Sequence, residues 1–255
     1  MTSAKHGADD RRIPRGEQAI GLLALAFVLV AAWFAVDWLR DETATAPAPA
    51  SATASPTPSL TPATPAPIPD EARRTVWRSD TPASRVFTLA PVTAAPEQKA
   101  ARTNAYTVEV ETSVALDPAE VARQVQATLD DPRGWASFGR NNFRLVTDPK
   151  AARLRVVLAS PPTVDELCGA KKTQGLWDCR TGDTVVLNSD RWQYMVPNYN
   201  NLDEYRAYQV NHQVGAWLGQ RLAFCRNEGG RAPVMMEQAR DLDGCLPNAW
   251  PTDDG

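Results

Sequence analysis

Apolar and polar positions first alternate regularly where Tyr106, Val108 and Val110 interleave with Thr107, Glu109 and Glu111, which is the period-two pattern of a half-buried strand. Asp117-Pro118-Ala119-Glu120 then supplies an N-cap carboxylate, a proline at the first helical position and an acidic residue reaching back. These residues predict a helix to about Leu129 that buries Val121, Val125 and Leu129. Three apolar runs, 143–146, 154–158 and 184–187, read as further strands, and a long helix is expected from Tyr205 to about Leu222. One strand, a helix, more strands and a late helix describe an α+β domain with a single mixed sheet.

Upstream the pattern changes twice. Ala19 to Val36 carries no charge for 18 residues and ends with Trp33 and Phe34, followed by Trp38, aromatics suited to a lipid–water boundary. The run is longer than the apolar stretch of a cleaved secretory signal, so an uncleaved signal anchor is expected. Lys5, Arg11, Arg12 and Arg15 precede it, whereas Arg40 follows among Asp37, Asp41 and Glu42. That asymmetry predicts a cytoplasmic N-terminus with the bulk of the chain outside the cell membrane. Residues 43–69 hold no charge and consist almost entirely of Ala, Thr, Ser and Pro, a composition that buries too little apolar surface to fold. The resulting expectation is a cytoplasmic tail (1–18), a transmembrane anchor (19–39), a disordered stalk (40–70), a transition segment (71–102) and an extracytoplasmic domain (103–255).

Composition adds restrictions. A net charge of −3 gives no basic surface, which argues against a nucleic-acid partner. All four cysteines fall on the side placed outside, where pairing is favoured over free thiols. Of the three possible connectivities, Cys168–Cys179 and Cys225–Cys245 are preferred because each closes a local, turn-rich loop. A zinc site is the competing reading, yet the cysteines lack Cys-x-x-Cys spacing and only His212 joins them outside, His6 lying in the tail. Trp177, Trp192, Tyr194 and Tyr199, with Asn198, Asn200 and Asn201, either line a recognition cleft or pack the core.

The stretch Val210-Asn211-His212-Gln213-Val214-Gly215-Ala216-Trp217-Leu218-Gly219-Gln220-Arg221-Leu222 carries the most chemistry. It resembles the metzincin zinc-binding helix, His-Glu-x-x-His-x-x-Gly-x-x-His, in which two histidines one turn apart and a third beyond a glycine turn hold the metal. His212 and Gly219 match that signature. Gln213 stands where the general base belongs, and Ala216 and Leu222 replace the other two histidines. Ala232-Pro233-Val234-Met235-Met236 follows where metzincins have the methionine turn. Together with Tyr205-Arg206-Ala207-Tyr208, Pro162 to Gly169 and Leu242 to Pro251, the chain from about Thr103 to Pro251 is similar to a family of bacterial secreted or membrane-anchored zincin-like domains.

That resemblance implies a zincin-like fold with a long former zinc-binding helix. Three protein ligands and a water make a catalytic zinc site, but Ala216 and Leu222 ligate nothing and the amide of Gln213 is no base. The chain is therefore expected to bind no cofactor and to act as a pseudo-metallopeptidase, a binding or scaffolding module whose former substrate groove takes a peptide, protein or cell-wall ligand. The alternative is an active zinc peptidase with an atypical site, which would need carboxylates such as Glu228 or Glu237 to converge on His212.

Overall fold

The computed structural model describes residues 68–254. The proposed anchor and almost all of the stalk lie outside them. Among the described residues no helix is long and apolar enough to cross a membrane.

Six strands form one mixed sheet: β1 (Phe87–Leu89), β2 (Arg102–Glu111), β3 (Asn141–Leu145), β4 (Leu154–Ala159), β5 (Cys179–Thr181) and β6 (Thr184–Asn188). Their order is β1-β2-β4-β6-β5, with β3 also paired to β2. β2 runs parallel to β3 and β4, and β4 parallel to β6, whereas β1 and β5 are antiparallel to their neighbours. The α+β class and the mixed sheet expected from the sequence are therefore present.

Register places Val108 beside Val156 and Val156 beside Val185, and Val110, Leu158 and Leu187 form the next row. Helix α1 (Pro118–Asp130) packs Val121, Val125 and Leu129 on this face, joined by Val210 and Val214 of the long helix. Its start is fixed as the sequence suggests, with Asp117 Oδ1 accepting from Ala119 N–H at 2.9 Å. On the opposite face Val157, Ala159 and Val186 pack with Val164 of α2 (Pro161–Cys168). Strands β4 and β6 are thus covered on both sides, which explains their uninterrupted apolar runs. Short helices α3 (Ala170–Thr173) and α4 (Ser189–Tyr194) complete the connections before α5 (Leu202–Trp217).

Residues 71–102, read as a transition segment, are built into this unit. β1 pairs with the end of β2, and Ser79 donates from its N–H and hydroxyl to Asp190 at 2.6 and 2.7 Å. Glu111, fully buried at the end of β2, accepts from Ser84 N, Arg85 N, Ser160 N and Thr163 Oγ1 at 2.7–2.8 Å. Burial alone would push its pKa up. Hydrogen bonds from Ser160, Arg85 and Thr163 more than offset burial and hold the carboxylate below its usual range.

Helix α5 differs from expectation at both ends. It starts earlier because Asn201 caps it, its side chain accepting from Asp203 and Glu204 N–H at 3.0 and 3.1 Å. It ends at Trp217 instead of about Leu222. Gly219, at φ +84°, closes a Schellman turn in which Gln220 N–H reaches Gly215 O at 2.9 Å and Gly219 N–H reaches Ala216 O at 3.2 Å. Both preferred disulfides, Cys168–Cys179 and Cys225–Cys245, are formed, with Cα separations of 6.3 and 5.8 Å.

Candidate functional site

Helix α5 buries polar side chains as fully as apolar ones. Gln209, Asn211, His212 and Gln213 are all buried along consecutive turns, and each one with a resolved partner is tied to another segment. Asn211 Nδ2 donates to Ala249 O at 2.9 Å, and Asn211 O accepts from the Trp135 indole at 2.8 Å. Gln209 Nε2 donates to both Asp178 carboxylate oxygens at 3.0 and 3.2 Å.

His212 Nδ1 lies 2.9 Å from Val234 O. A carbonyl can only accept, so this contact assigns the proton to Nδ1 and leaves Nε2 as the bare nitrogen. Burial pushes the imidazole pKa down, with the Val234 carbonyl and the charge of Glu237 opposing, so the ring is neutral at pH 7. Its face is packed by Tyr208, with ring centroids 5.4 Å apart, and the Tyr208 hydroxyl donates to Met236 O at 2.9 Å.

The Met235-Met236 segment packs against the helix. Pro233 to Met236 forms a turn closed by Met236 N–H to Pro233 O at 2.9 Å. A Cβ at Gly215 would fall 2.5 Å from Met235 Sδ and 2.6 Å from the Trp135 ring, so only glycine lets the methionine approach so closely. Ala216 is half-buried beside it. Leu222 is placed differently from the helix position expected for it: it lies beyond the Schellman turn and is 58% exposed.

His212 and Gln213 open onto a small cleft of about 90 Å³ lined also by Trp177, Asp178, Tyr208 and Glu237. Burial pushes Asp178 up to about 6, although Asn188 N–H, Gln209 and the Arg191 charge all favour its ionised form. The cleft thus combines an unprotonated imidazole nitrogen, a carboxyl group that titrates near pH 6, a phenol ring and an amide. Such a set accepts and donates hydrogen bonds to a small polar group. Among the described residues no three His, Cys, Asp or Glu side chains are grouped closely enough to hold a metal ion, and all four cysteines are in bridges.

Of the residues proposed from sequence, the structure brings His212, Gln213 and Glu237 to this cleft, while Met235 packs against Gly215 and Gly219 closes the end of α5. Glu228 is exposed against Gly244 and takes no part. The aromatic and amide group splits up. Trp192 and Tyr199 are core residues, Asn201 is a cap, and Trp177 alone of the four aromatics reaches the cleft. Asp178 was missed, because a single acid between a tryptophan and a cysteine carries no local signature.

Comparison with known families matches residues 78–249 to one described as protein of unknown function (DUF3152). No curated protein and no solved structure matches the chain.

Proposed function

The chain belongs to the DUF3152 family, whose function is unknown, and from that premise we propose that it is a membrane-anchored pseudo-metallopeptidase that binds a peptide, protein or cell-wall ligand outside the cell. What supports the reading is that α5 carries a buried, oriented His212 at the motif's first position without the residues that would complete a metal site. His212 has its Nδ1 committed to Val234 O and Met235 lies against Gly215, while Gln213, Ala216 and Leu222 offer neither a base nor a second ligand. The anchor rests on the uncharged run 19–36 and the basic residues before it.

Metal content tests this reading. Purified protein is expected to carry far less than one zinc per chain by atomic emission, and a chelator should leave its melting temperature unchanged, because bound zinc would couple to stability. His212→Ala should not alter metal content and should cost about 0.5–1.5 kcal/mol for the lost hydrogen bond. Restoring Gln213→Glu, Ala216→His and Leu222→His together should confer zinc binding. Stoichiometric zinc in the unaltered chain, lost on His212→Ala, would defeat this reading and favour the atypical peptidase.

A further inference from the structure

The charged residues lining the His212 cleft are Lys172, Asp178, Glu237 and Arg240, and the last of them reaches across it. Arg240 Nε lies 3.0 Å from Glu237 Oε2 on its own turn, Nη2 donates to Lys172 O on α3 at 3.5 Å, and Cζ stands 4.7 Å from the centroid of the Trp177 ring. A carboxylate, a carbonyl and an indole face thus surround one guanidinium, and these are the partners a guanidinium favours.

The hold on Arg240 is weak. Its side chain is 43% exposed and that of Glu237 53%, so water screens the ion pair, and the bond to Lys172 O is long. The groups buried deeper in the cleft are unengaged. His212 Nε2 is bare, and among the described residues the Gln213 side chain makes no hydrogen bond, although the two residues are only 8% and 9% exposed. Polar groups so buried are as a rule paired, and these two face a hollow.

What the cleft offers is mostly acceptors. His212 Nε2, Lys172 O and the Glu237 carboxylate accept, and the Gln213 amide can turn its oxygen inward. The Asp178 oxygens are engaged by Gln209 and Asn188, so this residue contributes charge more than contacts. With Arg240 set aside, the carboxylates of Asp178 and Glu237 face the single ammonium of Lys172, itself exposed at the rim. An anion would meet both carboxylates and the lone pair of His212. A guanidinium is flat, carries five N–H donors and lies well on an indole face, and a hollow of about 90 Å³ admits an end group of that size.

We propose that the His212 cleft receives an arginine side chain of a peptide ligand, and that Arg240 is the chain's own stand-in, displaced when the ligand enters. The incoming guanidinium donates to His212 Nε2 and Gln213 Oε1 and takes over the Trp177 face and the Glu237 charge. Arg240 is then an intramolecular competitor, and a ligand must outbid its weak contacts to bind. This rests on the metal-free binding role given to the chain above and adds the chemical class of the group bound.

The test uses the full-length chain in detergent and a short fluorescent peptide with one arginine among glycines and alanines, followed by anisotropy. Citrulline in place of that arginine keeps the shape without the charge and should weaken binding about tenfold or more. Arg240→Ala, an exposed change, should tighten binding about threefold to tenfold by removing the competitor. On that background Glu237→Gln or His212→Ala should each weaken it about tenfold. Equal affinity for the arginine and citrulline peptides would overturn the proposal, as would tighter binding of a lysine peptide or an Arg240→Ala chain that binds no better than the unaltered one. Should His212→Ala fold poorly, indifference to Glu237→Gln on the Arg240→Ala background would overturn it equally. Stoichiometric zinc in the purified chain would sink the metal-free role itself, whereas a zinc-free chain that cannot tell arginine from citrulline would sink this assignment alone.

Discussion

The sheet and the segment after α5 satisfy their buried backbone groups by different means. In β2, β4 and β6 the backbone groups satisfy one another in a parallel ladder, leaving valines and leucines to interlock from both faces. From Leu218 to Asp254 the described residues form no strand, only the isolated bridge between Arg231 and Leu246 and one short 3-10 turn at Pro251–Asp253. Here buried side-chain amides replace the ladder. Asn248 Nδ2 donates to Ala232 O and Trp250 O, both at 3.0 Å, and its Oδ1 accepts from Trp250 N–H at 3.0 Å. Gln238 Nε2 donates to Pro233 O and Asn248 O at 3.0 and 2.8 Å, while its Oε1 accepts from Tyr199 and from Asn248 N–H. An irregular segment can be as well satisfied as a sheet, but each amide then carries bonds that no neighbour can take over.

The largest effect should follow from breaking that amide network. Asn248→Ala leaves several buried backbone groups unpaired and is expected to cost about 4 kcal/mol by chemical denaturation. A loss near 1 kcal/mol would mean that the loop repacks and that the contrast with the sheet is weaker than the geometry implies. Next comes the bridge. Replacing both Cys225 and Cys245 by alanine opens a loop with sequence separation 20 and should cost about 3 kcal/mol. Hydrogen exchange should then quicken in 220–254 and not in β2, β4 or β6. Uniform quickening would show that the two regions unfold as one.

The smallest effect joins the regions through Asp178, which packs against α5. Its folded pKa, about 6, lies above the roughly 3.9 of an unfolded aspartate. The native state therefore holds a proton that the unfolded chain releases, and this stabilisation, complete at the acid end, is lost as pH rises through 6. Asp178→Asn should remove that slope, so that relative to the unaltered chain it gains about 2 kcal/mol between pH 4.5 and 7.5 in paired melts. Gln209 can follow the change, since its Oε1 has no partner among the described residues and can accept from the new amide. A parallel pH profile in the two proteins would place the proton elsewhere.

The same contrast governs how much was legible in the sequence. β2, β4, β6 and α1 announce themselves because burial there is apolar and periodic, and Asp117 and Pro118 mark a start that the structure keeps. Helix α5 has no single inward face, since 207–215 are buried all round with Gln209, Asn211, His212 and Gln213 among them, so its ends had to come from caps. Asn201 before Asp203 and Glu204 was such a signal for the start, and Gly219 for the end. β1 and β5 are three residues each, too short for alternation to register. The His212 cleft could be read in part, since His212 and Gln213 lie within a motif. Asp178 could not, because it reaches the cleft only through the fold of the β5–β6 hairpin.

That hairpin also bears on how copies of this domain tolerate crowding. β5 is the open margin of the sheet, where unpaired N–H and C=O groups invite a strand from another molecule. It offers a poor template. The strand is three residues long, Arg180 and Thr181 are exposed on it, and Cys179 is bridged back to α2 through Cys168. Reducing that one bridge frees the margin from its tether. Cross-molecule strand addition would then be opposed by the shortness of β5 and the charge of Arg180 alone.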